Sequence, residues 1–473
     1  MGLFTKKSIG DLQAEADRGL LRRSLGPWNL TALGIGSIIG TGIFVLTGTA
    51  ASQNAGPALV FSMMLSAAGC AFAGLCYAEF AAMVPVAGSA YTYAYATIGE
   101  IVAWIIGWDL ILEYALSTAT VAVGWSGYFV SLMHDVGVDV PASLTGPPGP
   151  FNLPAFAIVL VVAALLVVGI KQSADTNTVL VAIKALVLVV FVIAGAAYVK
   201  RENLTPLIPP NTGEFGHFGW SGILRGAGVM FFAYIGFDAV STAAQEAKRP
   251  SRDMPIGILG SLAICTVIYV LVAIVLLGIV PYPQLNVADP LAVGIDATGL
   301  RWLSPAIKVA ALFGLFSTMI VTLLAQTRIF YSMSRDGLLP PMFSAVHPRF
   351  RTPHLSTLMT GVVIALVSGL TPISVLSQLV SIGTLLAFML VCIGVILLRH
   401  TAPDIPRPFR TPGVPLVPIL GAIICLAQMI GLPLATWERL VVWLAAGLVV
   451  YFTYSYRSSR LIQPELNELR PRL

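Results

Sequence analysis

A lysine, two carboxyls and two glycine-broken stretches are the residues here whose types and spacing suit chemistry, and all lie inside apolar runs. Lys184 comes seven residues into the run that starts at Asn177, about 10 Å along a helix. An ammonium at that depth faces a bundle interior and marks an ion or proton path, unless it snorkels to the interface or sits in a fixed ion pair. Asp109 and Glu113 stand four apart in another run and share one helix face. The broken stretches read Gly34-Ile35-Gly36-Ser37-Ile38-Ile39-Gly40-Thr41-Gly42 and Phe232-Ala233-Tyr234-Ile235-Gly236-Phe237-Asp238.

A helix interrupted in hydrocarbon frees N–H and C=O groups, and each costs several kcal/mol unless a ligand or cavity takes it up. The new helix N-terminus favours an anion. Gly40, Thr41 and Gly42 therefore suit a carboxylate, with the Thr41 hydroxyl as a further donor. The end of the preceding half-helix, around Ser37 and Ile38, offers carbonyls to an ammonium, and the second break adds those of Phe232 and Ile235. Backbone alone would then hold a zwitterionic head group. Close packing through small residues such as Gly36 and Gly40 is the alternative that the spacing leaves open.

The elements that must position these groups are membrane spans. Mean hydropathy is +0.87 and only 10% of residues are charged, against about 25% in a soluble globule, so a soluble protein is excluded. Twelve apolar runs predict an all-α polytopic protein, with the breaks in the first (Leu30–Ala50) and sixth (Gly219–Ala244). Broken spans in corresponding positions of two halves are a sequence pointer to a carrier's solute site. Five spans separate them, so the halves run in opposite directions. That predicts a 5+5 inverted repeat: a segment over 1–26, repeat one over 27–200, repeat two over 201–400, accessory spans over 401–456 and a tail over 457–473.

Of the 27 Lys and Arg, twenty fall on the segments that are inner if the N-terminus is inside, and six on the outer ones. Under the positive-inside rule both termini are cytoplasmic in a multi-pass cell-membrane protein. The first 26 residues lack the short apolar core of a cleavable signal. Cys70, Cys76, Cys265, Cys392 and Cys425 all lie in apolar runs without metal-site spacing. No phosphate loop, metal cluster or nucleophile–base pair is legible, so no metal or cofactor and no enzyme is expected.

Four stretches carry a family resemblance: GIGSIIGTGIFVLTG (Gly34–Gly48), CYAEFAAMVPVAGSAYTYAY (Cys76–Tyr95), FFAYIGFDAVSTAAQE (Phe231–Glu246) and QTRIFYSMSRDGLLP (Gln326–Pro340). Together they resemble the amino acid–polyamine–organocation (APC) superfamily, nearest its bacterial relatives of the cationic amino acid transporters. The resemblance implies the leucine-transporter fold, Phe232 as an aromatic cover and Leu315 on the pocket wall. It also implies that the Lys184 ammonium occupies the place where relatives hold sodium, with Glu113 as its partner. An apolar Leu315 gives a guanidinium no partner, which argues for a small neutral amino acid such as alanine. Leu315 as plain helix packing stays open.

The expectation is proton-coupled uptake of an L-amino acid by alternating access. An exchanger, a broad or cationic carrier and an amino-acid sensor are the alternatives. Ser37, Ser317, Thr318 and Asp238 are accessory candidates, Ser317 and Thr318 as receivers of the ammonium from span eight. Asp238 and Glu79 suit structure or gating. Partners implied are the amino acid, the proton and membrane lipid, without nucleic acid; a small single-span helical subunit is left open.

Overall fold

The computed structural model describes residues 3–8, 25–83, 89–146, 149–168, 174–300, 302–348 and 352–460. Most of the segment expected over 1–26 and of the tail over 457–473 lies outside the described residues. The rest is all helical, with only two isolated backbone bridges and no strand among the described residues. Helix follows from the solvent: an apolar chain in lipid must satisfy its backbone within the segment.

The longer helices among the described residues are labelled in chain order: α1 (Pro27–Ile38), α2 (Leu59–Met83), α3 (Glu100–Asp135), α4 (Leu153–Val168), α5 (Ala174–Ala196) and α6 (Gly219–Met230), then α7 (Pro250–Ile279), α8 (Leu303–Arg335), α9 (His354–Leu370), α10 (Ile373–Thr401), α11 (Leu416–Gly431) and α12 (Leu434–Val450). Seven helical stretches among the described residues are long and apolar enough to cross a membrane, and four shorter apolar helices accompany them. At 36 residues, α3 is about 54 Å long and overshoots a hydrocarbon core of about 30 Å.

The helices are not equally buried. In the stretch Gly219–Ser241, 78% of the most apolar window is buried, against 22% in Leu434–Ser458. The broken segment is therefore the centre of the bundle and α12 its edge. Indole stacking holds α12 there: Trp108 lies 4.7 Å from Trp443, and each donates its Nε1–H to the other's carbonyl, at 2.9 and 3.1 Å.

Around the centre, α1 packs on α7 and α6 on α2; α3 packs on α10 and α8 on α5; α2–α7, α3–α8 and α4–α9 pack as pairs. Tyr77, Phe231, Phe237 and Phe388 form an aromatic cluster, with centroids 5.0–5.9 Å apart, that fixes α2 and α10 against the second break.

Candidate functional site

Both breaks are formed, and they touch. The chain leaves α1 at Ile39, whose ψ of 98° is extended, and re-enters through a wide helical turn over Gly42–Leu46. In the second, α6 tightens over Phe231–Tyr234 and opens at Ile235 (ψ 139°) and Gly236 (φ 120°), a left-handed conformation that favours glycine. A Cβ on Gly236 would lie 2.7 Å from the Ser37 carbonyl carbon. A Cβ on Gly42 would lie 2.3 Å from Ala233 Cα. Gly42 thus serves first as the crossing point of the two breaks, because only hydrogen fits between the backbones.

Beside the crossing is a cavity of about 40 Å³, room for about three waters. Ser37, Ile38, Gly40, Thr41, Gly42, Phe232 and Ile235 line it, and so does Thr318. No charged side chain lines it among the described residues. Two stripes escaped the sequence reading: Tyr114, Ser117 and Val121 on α3, and Val321, Thr322 and Ala325 beyond Thr318 on α8. Their helical spacing was visible, but nothing local says which face of α3 or α8 turns inward.

Several expectations need correction. Leu315 is fully buried but does not line the cavity, which ends one turn away at Thr318. Ser317 donates to the Gly314 carbonyl at 3.2 Å, and the ammonium is received by Thr318 instead. The Ile38 carbonyl already accepts the Tyr269 hydroxyl at 2.8 Å, and the Phe232 carbonyl accepts the Ile235 N–H at 3.3 Å. Those oxygens shape the breaks before they meet any solute. Ser37 donates to the Leu33 carbonyl at 3.0 Å.

Lys184 is 1% exposed, and its ammonium is met by oxygen alone. It donates to the Gly36 carbonyl at 3.0 Å, the Ile39 carbonyl at 3.3 Å and Thr318 Oγ1 at 2.9 Å. An ammonium has three hydrogens, so its donors are spent. The expected pair with Glu113 is not formed: neither Glu113 oxygen has a hydrogen-bond partner. The groups that act on that carboxyl are Asp238, Asp109 and Thr384. Thr384 gives its own hydrogen to the Val380 carbonyl, at 2.9 Å, and offers Glu113 none. Asp238 braces the second break, accepting the Gly236 N–H at 3.2 Å and the Tyr114 hydroxyl at 3.3 Å.

Charged contacts stand at both ends of α8. At one, the buried Lys308 meets Asp135 at 2.6 Å, and Tyr128 donates to the Phe44 carbonyl at 2.8 Å. At the other, Asp336 receives Lys7 at 2.6 Å and the Tyr91 hydroxyl at 2.6 Å, while Leu25 pairs by backbone with Glu246 and Lys248. Nearby, Glu79 accepts a two-toothed contact from Arg399, at 2.9 Å on each oxygen, and pairs with Arg407 at 3.3 Å.

A multi-pass helical bundle with two facing breaks beside a small cavity has the architecture of a solute carrier. The amino acid permease family model matches residues 25–453, and the chain belongs to that family, within the APC superfamily. It is 46% identical to the methylthioribose transporter of Bacillus subtilis (strain 168), over 97% of this chain and 99% of that one. It is 47% identical to the branched-chain amino acid permease BcaP of the same organism, over 98% and 99%. The vacuolar cationic amino acid transporter 4 of Arabidopsis thaliana is 37% identical, over 81% of this chain and 64% of its own length. The family is one of permeases, not of enzymes.

Proposed function

We propose that this chain is a secondary active transporter of the cell membrane that brings small neutral L-amino acids, alanine among them, inward with a proton. The observation that carries the reading is the position of Thr318, which lines the cavity and holds the Lys184 ammonium at 2.9 Å. The same ammonium holds the Gly36 and Ile39 carbonyls of the first break. Charge-assisted hydrogen bonds are roughly twice as strong as neutral ones. When Lys184 gives up its proton, α1 is held less tightly to α5 and α8, and the half-helix moves. The proton and the solute are then released to one side together.

The neutral walls support a neutral side chain, since a buried guanidinium would go unpaired there. The branched-chain permease relative agrees with that choice. The helix pairings support the inverted repeat: exchanging each helix for its counterpart five positions away in the other half turns α1–α7 into α6–α2 and α3–α10 into α8–α5, which are also packed pairs. The peripheral α12 suits an accessory span, and the lysine and arginine skew supports cytoplasmic termini.

Purified protein in liposomes, with an inward proton gradient at equal sodium, tests the reading against a panel of labelled amino acids and methylthioribose. Gradient-driven alanine accumulation is expected. A strict sodium requirement refutes the coupling, strict one-for-one swapping makes the protein an exchanger, and uptake of methylthioribose alone replaces the substrate.

A further inference from the structure

Most hydroxyls that line the cavity are already spent. Ser37 donates to Leu33, Tyr114 to Asp238, Thr318 to the Gly314 carbonyl at 3.1 Å, and Thr322 to the Thr318 carbonyl at 3.1 Å. On α3, Thr118 and Thr120 bond the carbonyls four residues back, at 2.8 and 2.7 Å. That is the usual habit of a helical hydroxyl. Ser117 departs from it: the residue is 5% exposed, lines the cavity, and its Oγ has no partner. Thr41 Oγ1 is the other open hydroxyl of the cavity. A buried donor left open is costly, so each is a place where a solute atom gains most.

The two stand at opposite ends of the site. The Thr41 methyl would lie 2.7 Å from a Cβ on Gly124, seven residues along α3 from Ser117. Seven residues of helix span about 10 Å. With its carboxylate at Thr41, an amino acid presents its β-carbon toward Ser117. From carboxylate to β-hydroxyl is roughly 5 Å, and two hydrogen bonds of about 2.8 Å make up the rest. Val121, Val321 and Ala325 give the side chain apolar walls, so a hydroxyl there has few other partners.

We infer that Ser117 is a specificity-determining residue that hydrogen-bonds a hydroxyl on the substrate's β-carbon, making β-hydroxy amino acids a substrate class of this cavity. The inference rests on the head-group placement proposed above. It separates two isosteres: threonine satisfies Ser117, whereas valine fills the same space and leaves the hydroxyl unpaired.

The test is competition against labelled alanine uptake in liposomes by L-threonine, L-valine and L-allo-threonine. L-allo-threonine exchanges the hydroxyl and methyl arms of the β-carbon. The unmodified protein is expected to prefer L-threonine to L-allo-threonine by about fivefold or more. In Ser117→Ala the threonine-to-valine affinity ratio falls about tenfold and the preference between the two threonines disappears. Ser117→Cys, close in size with a weaker donor, falls between. Equal affinity for the two threonines in the unmodified protein overturns the inference, and that arm needs no variant. So does an unchanged threonine-to-valine ratio in Ser117→Ala; in both cases the unmodified protein still takes up amino acids and the site stands. Absence of saturable uptake of every amino acid by the unmodified protein overturns the underlying reading instead.

Discussion

Two glycines of one motif, two residues apart, should respond oppositely to a single methyl group. A Cβ on Gly42 lies 2.3 Å from Ala233 Cα, 2.5 Å from its Cβ and 2.9 Å from its nitrogen. Two of those atoms are backbone, so no rotamer relieves the clash, and the breaks must part by about 1 Å to reach ordinary contact. Overpacking of this kind costs about 1–3 kcal/mol. Misplacing a binding frame by about 1 Å costs on the order of a hundredfold, which at 1.4 kcal/mol per decade is about 2.8 kcal/mol and agrees with the upper end of that range. On Gly40 the nearest atom to a Cβ is Thr318 Cγ2 at 3.4 Å, an ordinary contact. Gly42→Ala is therefore expected to lose alanine affinity about a hundredfold and Gly40→Ala less than about tenfold. Scintillation-proximity binding on purified protein measures both, with thermal stability followed in parallel. Near-native affinity in Gly42→Ala, or a larger loss in Gly40→Ala, refutes the crossing-point argument.

Lys184→Ala is expected to abolish proton-driven accumulation while alanine binding falls less than about tenfold, because the ammonium touches Thr318 and two carbonyls of the break; accumulation at the wild-type rate in liposomes would exclude it from coupling. Glu113→Gln should leave thermal stability equal or higher, since the carboxyl faces two other carboxyls and no donor; a fall in melting temperature would show a favourable charge partner there. Leu315→Ser is expected to cost about 2 kcal/mol of stability as a core truncation, without altering competition by arginine, leucine or phenylalanine. A broadened profile would put Leu315 at the substrate. Glu79→Gln strands the Arg407 and Arg399 guanidiniums and should cost about 3–5 kcal/mol, read as a lower melting temperature; an unchanged value would mean water already screens the cluster.

What the sequence determined by itself was local. Long apolar runs had to be helices, since each backbone group in lipid finds its partner a turn away, and that requirement needs no knowledge of neighbours. Glycine clusters had to mark the breaks, and both lie where the motifs put them, at Ile39–Gly40 and Ile235–Gly236. The burial of Lys184 was equally legible, because depth along a helix is a count of residues. Rotation of a helix about its axis is different: hydropathy says that a segment crosses, while packing against neighbours decides which face it presents. That choice sent Glu113 toward Asp238 and gave Lys184 the carbonyls of the first break in its place. It put Thr318, and not Leu315, at the cavity, and it turned Ser117 inward with its hydroxyl unspent. Gly42 shows the division within one residue: the sequence marked a break there, and only the approach of Ala233 from a segment nearly two hundred residues away explains why nothing larger than hydrogen fits.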